Sequence, residues 1–294
     1  MDFRQIYRKA PVLPVMIITY PYFSAIHMPK PVTPRKLATK AISKLNKLRT
    51  GLMPVTNDID VHQFRVQFKK TRAFFRMANA VEESNNHRIK KSWRKIYQVT
   101  GERRDLEIII TVAGKQFGDG NLMNYLQQKK GSIESRLQLE LKTGKPFTLC
   151  SKKWKKFTTA ALNAYFEKLL QPIRGSYRLA LTDHLIHEIR KKLKDLLYNI
   201  GWLEAMHINY PPAISGICIA VVEQLLELLG NFQDGVALSV EFRQLQLVPE
   251  LHDTAKAIDV YLDLLAQDQD RLYKAIVRQL EHAFHLHAPR TLDE

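Results

Sequence analysis

Histidine, arginine and lysine recur at the same spacing in two segments of this chain. The two sets are His62, Arg65 and Lys69, and, 125 residues later, His187, Arg190 and Lys194. Residues three and four positions apart lie on one face of a helix, so each segment predicts a helix with a cationic stripe. Arginine binds anionic oxygens in pairs, lysine supplies a compact charge, and histidine gains a charge as the pH falls. The pattern therefore indicates binding of an anion.

Both stripes extend along the same helix faces. The added residues are Arg72 and Arg76 in the first segment, and Lys191 and Tyr198 in the second. Like charges at this spacing destabilise a helix by about 0.2–0.5 kcal/mol per pair, so such a run predicts an anion that compensates them. A third stripe is expected on the first predicted helix and consists of Lys36, Lys40, Lys44 and Lys47.

Each half also contains a glycine followed four residues later by an aspartate. The pairs are Gly101 with Asp105, and Gly230 with Asp234. We predict a helix-breaking turn at each glycine and an aspartate that orients the cations of its own half by hydrogen bonds. An aspartate in the first turn of a helix is also favoured by the helix dipole alone, so both interpretations stay open. No nucleophile accompanies these acids, and no catalytic residue is predicted.

The recurrence of this layout predicts an internal duplication and an all-α fold of two pseudo-symmetric helical bundles, with about ten helices. Apolar residues at helical spacing and the rarity of alternating β-branched runs support this class. The predicted helices cover residues 34–50, 58–81, 86–100, 102–117, 121–142, 151–170, 176–205, 211–229, 231–247 and 250–284. We divide the chain into an extended N-terminal arm, 1–33, and two bundle repeats, 34–146 and 147–294.

Charge is distributed unevenly along the chain. The formal net charge is +16, but residues 1–200 hold 39 Lys and Arg against 15 Asp and Glu, whereas residues 201–294 hold 6 against 14. Segregation of this size predicts a polyanionic partner for the basic part. The two cysteines, Cys150 and Cys218, lie far apart and favour a reducing compartment, so we expect a cytoplasmic protein. The apolar stretch 11–26 contains three prolines and is too short to span a membrane.

Together these residues resemble the CHAD family, the conserved-histidine α-helical domains. The matching motifs are Val61-His62-x2-Arg65-Val66-x2-Lys69-Lys70-x-Arg72, Arg104-Asp105-Leu106, His187-x2-Arg190-Lys191-x2-Lys194 and Gln233-Asp234. The resemblance implies two helical bundles whose basic faces line a shared surface or pore, and binding of inorganic polyphosphate, often at polyphosphate granules. The positions that it implies to face the ligand are His62, Arg65, Lys69, Arg72, His187, Arg190 and Lys194. No E-x-E-x-K motif of a triphosphate-tunnel enzyme is present, which indicates a stand-alone domain.

We therefore predict a non-enzymatic polyphosphate-binding protein without cofactor or metal, with polyphosphate granules as its expected location and no membrane partner. The alternative is a helical nucleic-acid-binding protein, because the same cations would neutralise a phosphodiester backbone. A third hypothesis is a metal-dependent phosphohydrolase that uses His282, His285 and His287. These histidines follow an amphipathic helix without matched carboxylates, so a frayed tail is the preferred interpretation.

Overall fold

The structure, a computed structural model, describes residues 32–53, 58–149, 154–176 and 181–285. Within these ranges all regular structure is helical, and the predicted all-α class is confirmed. The α-helices are α1 Pro34–Gly51, α2 Asp58–Glu82, α3 Lys91–Phe117, α4 Asn121–Thr143, α5 Thr159–Arg174, α6 Asp183–Ala205, α7 Pro212–Ser215, α8 Ile219–Leu245 and α9 Ala255–His285, with a 3-10 helix at Pro249–Thr254. The predicted arm lies almost wholly outside the described residues, and the duplication and the domain boundaries stay predictions.

Two predicted turns are wrong. α3 runs through Gly101 and α8 runs through Gly230 without a break, so four predicted helices are two long ones. One glycine costs a helix about 1 kcal/mol relative to alanine, which helices of 27 residues tolerate. Asp105 and Asp234 therefore lie in helix interiors, and the first-turn interpretation of these acids is wrong as well.

Threonine caps explain where three of the other helices begin. Thr33 caps α1, Thr158 caps α5 and Thr182 caps α6, each through a hydroxyl that accepts a backbone N–H. The predicted starts at residues 151 and 176 were therefore too early. The predicted helix 211–229 is instead the short α7 followed by α8, with Gly216 ending α7.

Helices α2 and α6 lie at the centre of the fold and contact each other. α2 also packs against α1, α3 and α5, while α6 packs against α5 and α8, and the outer pairs are α3 with α4 and α8 with α9. The indole Nε1 of Trp202 on α6 donates to the carbonyl oxygen of Lys70 on α2 at 3.2 Å. Within the described ranges, no helix combines the length and the apolarity needed to cross a bilayer.

Burial of one face of each central helix fixes the direction of its cations. On α2 the side chains of Val61, Phe64 and Phe68 are at most 1% exposed, and the matching residues of α6 are Ile186, Ile189 and Leu193. These residues belong to one continuous apolar core that extends from α1 to α9. Because the apolar positions alternate with the basic ones at helical spacing, burying the first set turns the second away from the core.

Candidate anion-binding cleft

The basic stripes of α2 and α6 meet in one cleft of about 840 Å³. Nine of the residues predicted from the sequence line it, namely Arg65, Lys69, Arg72 and Arg76 from α2, and His187, Arg190, Lys191, Lys194 and Tyr198 from α6. The structure thus brings together side chains that are more than a hundred residues apart in the chain.

Several lining residues were missed by the sequence analysis. They include Tyr97 of α3, Tyr165 and Lys168 of α5, and Lys192 and Asp195 of α6. For Tyr97 a signal was present, because it lies four residues before Gly101 and eight before Asp105, on the same face of α3. The residues of α5 carried no such signal, since only the packing of α5 against α2 and α6 brings them to the cleft.

Arg65 is held by contacts to α3. Its Nη1 donates to the carbonyl oxygen of Tyr97 at 2.9 Å, and its guanidinium carbon lies 4.7 Å from the centre of the Tyr97 ring. An ideal Cβ added to Gly101 would lie 2.7 Å from Nη1, so the absence of a side chain there makes room for the guanidinium. Gly101, which the sequence predicts to break the helix, instead leaves the space on α3 that the Arg65 guanidinium occupies.

Arg190 has the corresponding neighbour in the other half. An ideal Cβ on Gly230 would lie 3.6 Å from its Nη2, an ordinary contact distance, so this arginine is less tightly confined than Arg65. The Nε atoms of Arg72 and Arg190 are buried and have no hydrogen-bond partner within the described residues. Unsatisfied donors of this kind cost about 1–3 kcal/mol each, and the cleft therefore contains donor capacity that the described part of the protein does not use.

Two lysines share the cleft with these arginines. Burial, together with the positive charges of Lys194 and Arg65, lowers the pKa of Lys69 to about 7. Burial and the charge of Arg190 lower the pKa of Lys194 to about 8, although Asp234 opposes the shift. Neither lysine belongs to an ion pair among the described residues. The two lysines therefore repel each other and the neighbouring arginines.

The two aspartates lie close enough to influence each other. Burial raises the pKa of the Asp105 carboxyl, Arg65 opposes that shift, and the charge of Asp234 adds to it. The predicted orienting hydrogen bonds, which cations would donate to these acids, are not found in the described part of the chain. Their influence on Arg65 and Lys194 is therefore exerted by charge at longer range.

The two histidines occupy different positions. His62 is exposed and does not line the cleft. The small buried part of its ring lowers its pKa most, and the positive charges of Arg104 and Lys69 lower it further. His187 lines the cleft, and its Nδ1 lies 2.7 Å from the side-chain oxygen of Gln233. A carboxamide oxygen only accepts hydrogen bonds, so Nδ1 is the donor when this hydrogen bond forms.

Some predicted cations are already paired with acids. Arg76 forms an ion pair with Asp195. Burial raises the pKa of the Asp195 carboxyl, and the positive charge of Arg76 offsets only part of that rise. Lys191 pairs with Glu188 one turn earlier on α6, and the hydrogen bond from Lys191 lowers the pKa of that carboxyl. Because their charges are already balanced, these two cations are less available to bind an anion than Lys69 and Lys194.

The lysines of α1 are not part of the cleft. They line a separate groove of about 1380 Å³, and this groove shares no lining residue with the cleft. The lysines concerned are Lys36, Lys40, Lys44 and Lys47.

No group of three or more metal-ligating side chains lies together within the described ranges. His282 is exposed near the end of α9. The side chain of His285 and the whole of His287 lie outside the described residues.

Comparisons with known proteins agree with this architecture. The family model described as "CHAD domain" matches residues 36–243. The fold is similar to the crystal structure of the CHAD domain from the plant Ricinus communis, with a TM-score of 0.59, 14% sequence identity, and coverage of 88% of this chain and 95% of that one. At this identity the likeness supports the fold alone. No curated protein matches the chain.

Proposed function

The chain belongs to the CHAD domain family, which is associated with polyphosphate-related proteins, and from that premise we propose that it binds inorganic polyphosphate without catalysing a reaction. The observation that carries the proposal is the meeting of the α2 and α6 stripes in one cleft. The expected location is the cytoplasm, at polyphosphate granules.

The cleft suits an anion with several charges close together. Arg65 and Arg190 come from different helices, and the positive charges of both arginines act on Lys69 and Lys194, which line the same cleft. A single small anion would neutralise only part of this cluster, whereas a polymer of phosphates places a negative charge beside each cation. Arginine can bind two phosphate oxygens at once, and lysine adds a compact charge.

The Tyr97 ring of the cleft supports polyphosphate rather than a nucleic acid. Proteins that bind single strands without sequence preference stack bases on aromatic rings. The Tyr97 ring is already stacked on Phe68, with ring centres 4.3 Å apart, and the Arg65 guanidinium lies over it. A base would have to displace one of these contacts, whereas a phosphate chain needs no ring face.

A non-catalytic role agrees with the residues of the cleft. The sequence has no G-x4-G-K-[ST] loop of the kind that cradles a transferred phosphate. The acids near the cations, Asp105 and Asp234, are accompanied by no Ser or Cys in the cleft lining.

The test is a double substitution, Arg65→Ala with Arg190→Ala, compared with Arg94→Ala and Arg278→Ala as a control of equal charge. The control arginines are exposed and do not line the cleft. Titration with long-chain polyphosphate should show an affinity at least tenfold lower for the first variant. Its slope of log affinity against log salt should be shallower by about one to two charges.

The control variant should keep nearly the parent affinity, and circular dichroism should be unchanged for both. Equal affinities of the two variants would contradict the assignment of the cleft. Competition with single-stranded DNA at equal phosphate concentration separates the alternatives: displacement of polyphosphate by DNA would favour the nucleic-acid function.

A further inference from the structure

Lys69, like Lys194, differs in its surroundings from the lysines of α1, and its pKa is lowered further than that of Lys194. Its side chain is half-buried in the cleft, with Arg65, Arg72 and Arg190 as charged neighbours. No carboxylate forms an ion pair with it among the described residues. The lysines of α1, by contrast, are exposed.

These surroundings favour the neutral form of the Lys69 amine, which is the nucleophilic form. Only the neutral amine attacks an electrophile, and at pH 7 only a few in ten thousand side chains of an ordinary lysine are neutral. With a pKa of about 7, the amine of Lys69 is neutral far more often at that pH than that of an ordinary lysine, and a bound phosphate group, which raises the pKa, reduces this fraction. Reactive lysines in proteins are activated in this way, by burial and by neighbouring cations.

The same neighbours provide a binding place for phosphate. The guanidinium of Arg65 is fixed by Tyr97 and Gly101, and Arg190 lies on the facing helix. A small molecule with a phosphate group would be held next to the amine by these arginines. Holding two reactants in place can raise the rate of a reaction by several orders of magnitude.

We propose that Lys69 is a site of covalent modification by acyl phosphates, the class of small molecules in which an acyl group is joined to phosphate. The arginines bind the phosphate group, and the Lys69 nitrogen attacks the carbonyl carbon. A carbon–nitrogen bond forms, and the bond between the carbonyl carbon and the bridging oxygen breaks. Inorganic phosphate leaves with the electron pair of that bond, and the nitrogen releases one proton to water. The product is a neutral amide, and no oxidant or reductant is required.

The modification would weaken the binding of polyphosphate. An acylated lysine can no longer take up a proton, and the acyl group occupies space in the cleft. This consequence rests on the proposed function, whereas the modification itself does not.

The experiment exposes the full-length protein to acetyl phosphate at pH 7.5 and measures the acetylation of each lysine by peptide mass spectrometry. Lys69 should be acetylated at least tenfold faster than Lys40, an exposed lysine of α1. The double variant Arg65→Ala and Arg190→Ala should lose most of this advantage, while Arg94→Ala with Arg278→Ala should keep it. Equal rates at Lys69 and Lys40 would overturn the proposal.

An acetylating reagent without a phosphate group, acetyl N-hydroxysuccinimide, separates reactivity from binding. The preference for Lys69 should be smaller with this reagent than with acetyl phosphate, and an equal preference would refute the role of the arginines. Long-chain polyphosphate should protect Lys69 from acetyl phosphate. Selective acetylation without protection would uphold the modification site and contradict polyphosphate binding in the cleft.

Discussion

The guanidinium of Arg65 fills the space that a side chain at Gly101 would occupy, with Nη1 2.7 Å from the position of an ideal Cβ. Gly101 lies in the middle of α3, where glycine is unfavourable for the helix. The close approach of an arginine from α2 explains why a glycine suits this position. The pair also shows how a residue outside the cleft lining determines the position of a residue inside it.

Substituting Gly101 by alanine should displace Arg65 from Tyr97 and weaken polyphosphate binding by roughly 1 kcal/mol, about fivefold. The same substitution at Gly131 of α4 is the control, because no atom lies within 4 Å of its ideal Cβ. Gly131→Ala should gain helix stability of up to about 1 kcal/mol from the better propensity of alanine, whereas at Gly101 the lost contacts of Arg65 offset that gain. Titration calorimetry and thermal unfolding measure the two effects, and unchanged affinity for Gly101→Ala would contradict the positioning role.

Polyphosphate binding should weaken as the pH rises. In the empty cleft the pKa values of Lys69 and Lys194 are about 7 and 8, and a bound anion raises both because it favours the charged amines. Binding therefore takes up protons, and affinity falls by up to about tenfold per pH unit for each proton. His62 and Asp105 act in the same direction at lower pH, since protonation adds a positive charge or removes a negative one. Calorimetry in two buffers of different ionisation enthalpy measures the proton uptake between pH 6 and 9.

Stability of the empty protein should change with pH in the opposite direction. The pKa of Lys69 is lowered from 10.5 to about 7 in the folded state, so between these values the unfolded state binds more protons. Stability therefore rises with pH across this window as far as Lys69 contributes. Thermal unfolding of the parent protein and of Lys69→Met should show a flatter pH profile for the variant. Identical profiles would mean that Lys69 titrates normally.

Substituting Arg76 by alanine should reduce stability more than binding. Asp195 is only 15% exposed and would lose its ionic partner, whereas the charge of Arg76 is already balanced. Because Arg76 itself is partly exposed, the expected loss is about 1–2 kcal/mol. Denaturant unfolding of Arg76→Ala, with and without Asp195→Asn, measures it, and the second substitution should restore part of the stability. A loss of affinity as large as that of Arg65→Ala would place Arg76 among the main ligands.

The lysines of α1 should matter only for long polymers. A fourfold lysine-to-glutamine variant should bind tripolyphosphate normally and long chains more weakly, because the α1 groove and the cleft have no lining residue in common. The positions to change are Lys36, Lys40, Lys44 and Lys47. A control variant changes the exposed lysines Lys115, Lys142, Lys145 and Lys256, which line neither hollow. Equal binding of long chains by both variants would exclude α1 from the binding surface.

The sequence alone predicted the all-α class and the cationic faces of α2 and α6. Periodicity was sufficient there, because alternating apolar and basic positions determine which face of a helix is buried. The breaks at Gly101 and Gly230 were wrong for a physical reason. A glycine can also lie inside a helix because another residue approaches it closely. For Gly101 that residue is Arg65, which lies 36 residues away in the chain, on another helix.

Which cations would act together could not be predicted from local spacing. Arg76 and Lys69 belong to the same stripe, yet Asp195 neutralises the first and no acid forms an ion pair with the second within the described residues. The lysines of α1 have the same periodicity as those of the cleft but line another groove. Pairing and separation of this kind depend on how helices pack, which spacing within one helix does not reveal.

The uninterrupted course of α3 has a mechanical consequence. About 24 Å of helix separate Gly101 from Phe117, whose ring packs against Phe242 of α8 and Tyr261 of α9. Since no break separates them, the residue beneath Arg65 and the aromatic contacts to the acidic C-terminal helices belong to a single helix. A hinge at Gly101 would have allowed these two parts to move independently, and the continuous helix provides no such hinge there.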